Sequence, residues 1–297
     1  MSDLYLESGG TWNVPKKVFA FQNGVWQPVK QIYVNFNGVW YPIWNNALQI
    51  DITANTTDFN LYNFLNTPAE LANYGLANLQ SALTIHVIVH PGVVMGASST
   101  NTYGFNTGSG WAAGTRLKIS VMSGAYIVGA GGVGGGNPGH GISPYGGNGG
   151  GAIWTNIPTQ IDNQGTIGGG GGGGGGAVTG DFGYWQLAVG CGGGGAGSVP
   201  GAGGNMVSNY GYNGYGYIVY GSSGGPGSLL TGGYSSRAQY SVYYATGAGG
   251  GALGQAGGNG YTNAPGGAWS GGAPGSAIVG KANVTWINQG TLLGPTV

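Results

Sequence analysis

The sequence predicts a mostly β and irregular protein. A mixed N-terminal domain with β-hairpins and a short helix precedes a C-terminal sandwich of packed polyglycine II helices with tyrosine-rich end loops. Glycine supplies 71 of the 297 residues, several times its usual share of about 7%. The chain is nevertheless 41% hydrophobic and 12% aromatic, whereas disordered chains pair low hydrophobicity with high net charge. Because the glycine-rich runs all follow residue 122, domains are predicted at 1–122 and 123–297.

A tandem repeat in the first part predicts two β-hairpins. Residues 18–30 (VFAFQNGVWQPVK) and 32–44 (IYVNFNGVWYPIW) align residue for residue. Each copy places Asn-Gly between apolar flanks, and Asn-Gly favours the two-residue type I′ turn, which needs positive φ twice. The aromatic side chains of this hairpin module (12–44) form either its core or a docking face for a partner: Trp12, Trp26, Tyr33, Phe36, Trp40, Tyr41 and Trp44.

Residues 58–122 predict a short helix and several strands. Asp58 is placed to cap one helical turn, and the segment Thr67-Pro68-Ala69-Glu70 resembles a capping box with proline at the first helical position. Residues 82–96 and 111–129 have the composition of strands. His86 and His90 would lie about 13 Å apart on one face of a strand, too far to share a metal ion, so we expect structural roles for both.

Nine consecutive glycines at 168–176 raise the question of whether the glycine runs fold at all. Ordering a glycine costs about 0.5–1 kcal/mol more than ordering an alanine, so the runs fold only where bare backbone is required. An extended helix of three residues per turn has no internal hydrogen bonds, and close packing of such helices leaves no space for side chains. A flexible linker is the alternative. The packed structure is favoured because residues 161–169 closely match residues 286–294, as paired structural elements would.

Segments rich in tyrosine, serine and asparagine separate the glycine runs, at 137–145, 177–189, 205–223 and 228–246. Antibody paratopes have this composition, and Arg, Tyr and Trp are favoured at binding hot spots. The alternative is that these tyrosines cover the scaffold ends as a minor core. The candidate binding residues are His140, Tyr145, Phe182, Tyr184, Trp185, Tyr210, Tyr212, Tyr215, Tyr217, Tyr220, Tyr234, Arg237, Tyr240, Tyr243 and Tyr244.

Composition and motifs argue against catalysis and against nucleic acid as a partner. The formal net charge is zero, and no basic patch could neutralise phosphates. A G-x-G-x-x-G pattern at 129–134 lacks the helix that a dinucleotide site requires next. The lone Cys191 is expected to be a buried filler, consistent with a reducing cytoplasm. We expect no enzymatic activity, no cofactor, no metal site, no export signal and no membrane insertion.

Three segments carry a specific resemblance: WAAGTRLKI (111–119), GAYIVGAGGVGGG (124–136) and INQGTLLG (287–294). Together with the alternation of glycine runs and variable segments, they resemble the monomeric adhesins at the tips of long tail fibres of T-even-like bacteriophages. The resemblance covers nearly the whole chain. It implies an N-terminal domain that holds the trimeric fibre tip, with one copy per fibre, and a polyglycine sandwich whose variable loops bind an outer-membrane protein of a Gram-negative host. The protein would be made in the host cytoplasm and reside in the virion.

The sequence leaves two other functions open. The first is a structural tail-tip or fibre protein whose loops contact other virion proteins. The second is an ice-binding polyglycine protein, which needs a flat face of small residues that long aromatic inserts would interrupt.

Overall fold

The computed structural model describes residues 6–8, 11–13, 19–22, 25–28, 31–36, 39–45, 47–137, 142–181, 186–206, 219–240 and 242–297. Strands predominate among them, as predicted. In chain order the elements are β1 (Leu6–Ser8), β2 (Thr11–Asn13), β3 (Phe19–Gln22), β4 (Val25–Pro28), β5 (Gln31–Phe36), β6 (Val39–Asn45), β7 (Leu48–Ile52), β8 (Thr56–Thr57), β9 (Phe59–Asn60), α1 (Leu61–Leu65), α2 (Pro68–Tyr74), β10 (Thr84–Val89), β11 (Val94–Gly96), β12 (Tyr103–Asn106), β13 (Arg116–Val121), β14 (Tyr126–Val128), β15 (Gly151–Trp154), β16 (Thr159–Asn163), β17 (Thr166–Gly168), β18 (Ala177–Asp181), β19 (Gln186–Gly190), β20 (Val219–Ser222), β21 (Arg237–Tyr240), β22 (Tyr243–Thr246), β23 (Tyr261–Thr262), β24 (Gly266–Ala268), β25 (Ile278–Val279), a 3-10 helix (Lys281–Asn283), β26 (Val284–Asn288) and β27 (Thr291–Leu293).

The first six strands form three antiparallel hairpins, β1 with β2, β3 with β4, and β5 with β6. In the second, Gln22 pairs with Val25 across a two-residue connection. In the third, Phe36 pairs with Val39 in the same way. The Asn-Gly dipeptides occupy both connections, so the two predicted hairpins are confirmed.

The next part is a three-sided parallel β-helix that the sequence did not predict. The chain visits one strand of each of three parallel sheets in turn, so that successive coils stack strand on strand. The sheets have the orders β26-β16-β13-β10-β7, β27-β17-β14-β11-β8 and β25-β15-β12-β9. Parallel sheets require connections that cross over between strands, and here the other two sides of each coil provide them.

Alternation along the strands places the core inside the coil. Ile85 and Val87 of β10 are fully buried and pair in parallel register with Leu117 and Ile119 of β13. Burying each such side chain contributes about 1.5–3 kcal/mol. The intervening residues face outward, and Nε2 of His86 lies 2.9 Å from the Ser120 hydroxyl of the neighbouring strand. Stacked rows of aliphatic side chains therefore hold successive coils together.

The two short helices follow β9, and one of the predicted caps is wrong. The Thr67 hydroxyl accepts a hydrogen bond from the Glu70 amide, so the cap of α2 is confirmed. However, α1 is capped by Asn60 and not by Asp58. Asp58 has a positive φ of 52°, and its carboxylate instead accepts hydrogen bonds from the Ser98 amide and hydroxyl. Its polar side chain secures a turn of the β-helix.

The matched segments 161–169 and 286–294 occupy equivalent places in successive coils. Ile161 pairs with Trp286, and Thr166 pairs with Thr291. The buried Asn163 side-chain amide donates to the carbonyls of Gln289 and Thr291, which ties the two turns together. The prediction that these segments are paired structural elements is confirmed.

The predicted boundary after residue 122 lies within this β-helix. Strands β13 and β16 stand on opposite sides of it in sequence and pair over five residues. What stays a prediction is the functional division, in which residues 1–122 serve attachment and residues 123–297 serve recognition.

The glycine-rich segments leave the β-helix in two excursions, residues 129–150 between β14 and β15 and residues 169–277 between β17 and β25. They run as extended segments, here called rods, that are bonded side by side. In the central rod (169–176) successive amides donate to three different neighbours in rotation. Gly170 and Gly173 donate to Gly150 and Gly147, each at 2.8 Å. The amides of Gly171 and Gly174 donate to Ala196 and Gly193, and those of Gly172 and Gly175 to Gln255 and Gly258.

The carbonyls of the central rod accept from three further rods, so it has six bonded neighbours. Gly132 donates to Gly171, Gly251 to Gly172, and Gly272 to Gly173. A period of three is what a helix of three residues per turn requires, and the helical parameters of polyglycine II stay a prediction. A rod with backbone on six sides leaves no space for a β-carbon. The glycine runs are therefore the packed scaffold of this half of the molecule.

Candidate functional site

The described residues that flank the long inserts all lie at one end of the rod bundle. The glycine-rich segments leave the β-helix at Gly129 and Gly169. Short turns at 198–200, 228–231 and 252–255 reverse the chain at the end of the bundle next to the β-helix. At the opposite end, Gly176 donates to Pro144 and Gly204 donates to Gly192. The connections there are long, at 137–143, 177–190, 206–222, 237–246 and 260–268. We call the surface formed by the described residues of these five connections the distal surface.

Two small sheets build the described part of the distal surface. One has the order β20-β19-β18-β24 and the other the order β21-β22-β23. Ala177 and Ala188 of the first sheet are buried with Ala238 and Ala245 of the second in one cluster. Because alanine is small, the two sheets can approach closely at this cluster.

An arginine and two tyrosines form a column on the second sheet. The guanidinium carbon of Arg237 lies 4.2 Å from the centroid of the Tyr244 ring, within the range of a cation–π contact. The Tyr244 ring is in turn 5.9 Å from the Tyr261 ring, centroid to centroid. Tyr261 is 55% exposed. The column therefore presents a fixed cation and an aromatic surface to solvent.

Asn263 fixes the hairpin that carries this column. Its side-chain oxygen accepts from the Tyr244 amide at 2.7 Å, and its side-chain amide donates to the Val242 carbonyl at 2.9 Å. The asparagine side chain thus continues the pairing of β22 beyond the end of β23. Such a tether limits the motion of a hairpin tip and lowers the entropy lost on binding.

Five predicted binding residues have described side chains. Tyr145, Tyr243 and Tyr234 are exposed, the last by 72%, and Arg237 and Tyr244 form the column described above. Tyr220 and Tyr240 belong to β20 and β21. The remaining predictions lie outside the described residues: His140, Phe182, Tyr184, Trp185, Tyr210, Tyr212, Tyr215 and Tyr217.

The insert predicted at 228–246 is not one loop. Residues 228–231 form a turn at the β-helix end, where Ser228 donates to Thr231. Residues 232–236 are a rod, and only 237–246 form a distal hairpin. Tyr234 therefore projects from the side of a rod, where its ring covers Gly225: a β-carbon on Gly225 would lie 2.2 Å from a Tyr234 ring carbon.

Sequence reasoning missed part of the distal surface. Val242 is 70% exposed, and the short segment 261–265 contributes Tyr261 and Asn263. That segment, YTNAP, has the same tyrosine and asparagine composition as the longer inserts and stands between two glycine runs. The segment was not recognised as an insert because it has only five residues.

The predicted attachment residues lie on the N-terminal hairpins. Phe21 pairs with Trp26 in β3–β4, and Asn35 pairs with Trp40 in β5–β6. Trp12 belongs to β2, Tyr33 and Phe36 to β5, and Tyr41 and Trp44 to β6. Their role in attachment stays a prediction.

The described residues hold no cluster of three or more possible metal ligands. His90 Nε2 lies 2.8 Å from Asp51 Oδ1, at the outside of the β-helix. Burial raises the pKa of the Cys191 thiol to about 11, although a hydrogen bond with Ser236 acts in the opposite direction. As predicted, Cys191 is buried and fills space among the rods. No helix within the described ranges is long and apolar enough to cross a membrane.

The sequence model of a family described as phage tail fibre adhesin Gp38 matches residues 47–297. The chain belongs to this family of phage tail fibre adhesins. The match includes the whole β-helix and the glycine bundle, whereas the N-terminal hairpins precede it. The family indicates a binding role, and a tail fibre adhesin is a component of the virion tail.

A crystal structure of the gp37–gp38 adhesin tip complex of the bacteriophage S16 long tail fiber is similar to this adhesin. The two share 26% sequence identity with a TM-score of 0.54, over 85% of this chain and 83% of that chain. The similar protein is part of a complex at a fibre tip. No curated protein sequence matches the adhesin.

Proposed function

We propose that the adhesin binds a host receptor, an outer-membrane protein of a Gram-negative bacterium, through its distal surface, and that it acts without catalysis. The observation that carries this proposal is that the described ends of every long insert lie at the end of the bundle farthest from the β-helix. A surface made of loops on a stiff scaffold can vary without disturbing the core. Tyrosines add rigid contact area at low entropic cost.

We further propose that the opposite part of the molecule holds a trimeric fibre tip, with one adhesin per fibre. The three-sided β-helix supports this proposal, because the outer edges of its first coil, β7, β8 and β9, offer three strands to a partner of threefold symmetry. The hairpin module, with its seven candidate attachment residues, leads directly into β7. Strand edges with unpaired amides and carbonyls readily accept a further strand.

Alanine substitution on the distal surface tests receptor binding. The double variant Tyr243→Ala/Tyr261→Ala removes two exposed aromatic side chains, and Ile287→Ala removes an exposed apolar side chain of β26 as the matched control. We expect phage carrying the double variant to adsorb to host cells at least tenfold more slowly, since hot-spot truncations cost more than about 1–2 kcal/mol. The control should adsorb normally.

Purified protein and outer-membrane vesicles of the host separate the possible outcomes. Binding that disappears after protease treatment of the vesicles supports a protein receptor. Normal adsorption of the double variant, with its Tm unchanged, would contradict receptor binding by the distal surface and favour a structural role at the fibre tip. For attachment, the Trp26→Ala/Trp40→Ala variant should lose co-purification with the fibre tip while still binding vesicles.

A further inference from the structure

The charge distribution singles out Arg237. Between residues 123 and 280 the sequence contains only three charged side chains, Asp162, Asp181 and Arg237. Asp162 belongs to β16 of the β-helix, where Asn288 donates to its carboxylate. Arg237 is therefore the one cation that the sequence provides to the rods and the distal surface.

The Arg237 guanidinium is both exposed and fixed in position. The guanidinium carbon lies over the Tyr244 ring, and the Tyr244 ring lies beside the Tyr261 ring. The guanidinium is therefore held against an aromatic surface. Asn263 secures the backbone on both sides of Tyr243 through two hydrogen bonds. A guanidinium placed in this way has lost much of its side-chain entropy before a ligand arrives.

Arg237 makes no ion pair with any carboxylate whose side chain the structure describes, where the His90–Asp51 contact is the one salt bridge found. Asp181, the other charge of the distal surface, ends β18, whereas Arg237 begins β21. The two residues belong to different sheets, and Arg237 directly follows its rod whereas Asp181 is the last residue of a five-residue strand. The stacked cation is thus available to an external anion.

We propose that Arg237 binds a carboxylate side chain of the receptor protein, and that this contact is a determinant of receptor choice. The inference rests on the proposed function of the distal surface. Arginine presents paired N–H donors that match a carboxylate in bidentate geometry. The tyrosine face beneath the guanidinium excludes water from one side, which strengthens the electrostatic contact.

A single carboxylate fits this site better than the phosphates of a lipopolysaccharide. A surface of clustered phosphates is ordinarily bound by several cations together, and the sequence supplies no second lysine or arginine between 123 and 280. The surrounding rings suit the side chains of a protein surface loop. A protein carboxylate is therefore the anion that this site selects.

Substitution of Arg237 and modification of the vesicles test the proposal together. The variants are Arg237→Gln and Arg237→Lys in the full chain, with Lys281→Gln as a control that removes one positive charge from the β-helix. The probe is host outer-membrane vesicles, untreated or with their carboxylates amidated by carbodiimide and glycinamide. We expect Arg237→Gln to weaken vesicle binding about tenfold or more and Arg237→Lys by less, whereas Lys281→Gln should bind as the wild type does.

The amidated vesicles provide the decisive comparison. Amidation should weaken wild-type binding by a similar factor and should weaken Arg237→Gln little further, because the same contact is already lost. Wild-type-like binding by Arg237→Gln would overturn the proposal, as would an equal further loss on amidation. A loss caused by enzymatic dephosphorylation of lipopolysaccharide, and not by amidation, would also overturn it in favour of a phosphate. If Tyr243→Ala/Tyr261→Ala also binds normally, the proposed function fails together with the inference.

Discussion

A β-carbon placed on Gly173 would lie 1.8 Å from the carbonyl oxygen of Val133. That oxygen already accepts a hydrogen bond from the Gly147 amide at 2.7 Å, so three rods meet at this point. Real β-carbons essentially never approach another heavy atom within 3.0 Å, and the obstructing atom belongs to backbone that is bonded on several sides. Glycine at this position is thus a steric requirement of the packed rods.

The first prediction compares two glycines in similar sequence surroundings. Gly173→Ala should prevent folding or destabilise the bundle by more than about 1–3 kcal/mol, the usual cost of overpacking. At Gly249 the nearest atom to an added β-carbon is 3.5 Å away, an ordinary contact. Gly249→Ala should be neutral or stabilise by about 0.4–1 kcal/mol, because alanine reduces the entropy of the unfolded chain. Thermal unfolding measures both; equal Tm values would contradict the packed scaffold.

The second prediction concerns the tether of the distal hairpin. Asn263→Ala removes the hydrogen bonds to the Tyr244 amide and the Val242 carbonyl, at a local cost of about 1 kcal/mol. We expect hydrogen exchange at the Tyr244 amide to accelerate and receptor binding to weaken several-fold, while the Tm of the bundle stays within about 2 °C. Asn101→Ala, in a turn of the β-helix, is the control. Unchanged exchange at Tyr244 would show that the tether is dispensable.

The third prediction concerns acid. Burial lowers the pKa of His86, and the neighbouring Lys118 acts in the same direction, against the opposing influence of Asp51 and Asp162. A lowered pKa in the folded state means that the unfolded chain binds more protons, so stability falls as pH drops below about 6.5, the unfolded value, until the folded pKa is reached. His86→Gln retains a hydrogen-bonding partner for Ser120 without this titration. Its Tm should change less than that of the wild type between pH 7.5 and 5.5, and parallel Tm curves would refute the assignment.

The fourth prediction uses Cys191 as a reporter of the bundle. Its side chain is buried, and its pKa is about 11, so almost no accessible thiolate exists at pH 8. Iodoacetamide should leave the native protein unmodified and should alkylate this residue fully in guanidinium chloride, as mass spectrometry would show. Alkylation of the native protein at the rate of a free thiol would mean that the rods open readily.

The parts of the fold that depend on neighbouring residues in sequence were predictable. Asn-Gly between apolar flanks identified the hairpins β3–β4 and β5–β6, and Thr67 with Glu70 identified the start of α2. The glycine runs identified the bundle because closely packed backbone is the structure that requires long runs without side chains. Each of these signals acts over a few residues, where local geometry decides the outcome.

The β-helix was not predictable in the same way. The strands of its first sheet begin at residues 48, 84, 116, 159 and 284, so no constant spacing marks the coils. Several strands of the other two sides have only two or three residues, too few for alternation to be visible. Asp58 was misassigned for a related reason, since its partner Ser98 belongs to the next coil and lies 40 residues away in sequence.

The candidate site was predicted by composition more fully than by position. Tyr243, Tyr244 and Arg237 could be chosen because tyrosine and arginine favour binding surfaces. The column that Arg237 and Tyr244 form with Tyr261 depends on strand β23, which pairs with β22 from a separate insert. That pairing is a property of the assembled bundle, which brings the ends of distant rods side by side.

The second excursion of the chain has a kinetic consequence. Strand β17 ends at Gly168, and the chain rejoins the β-helix only at β25, which begins at Ile278. Strands β26 and β27 can take their places beside β16 and β17 only after the intervening rods have been gathered. Contacts of such long sequence separation slow folding, so we expect the last coil of the β-helix to form only after the bundle is complete. The folding rate should therefore be set by assembly of the glycine rods. An adhesin that stops before the last coil forms would expose the unpaired edges of β15, β16 and β17.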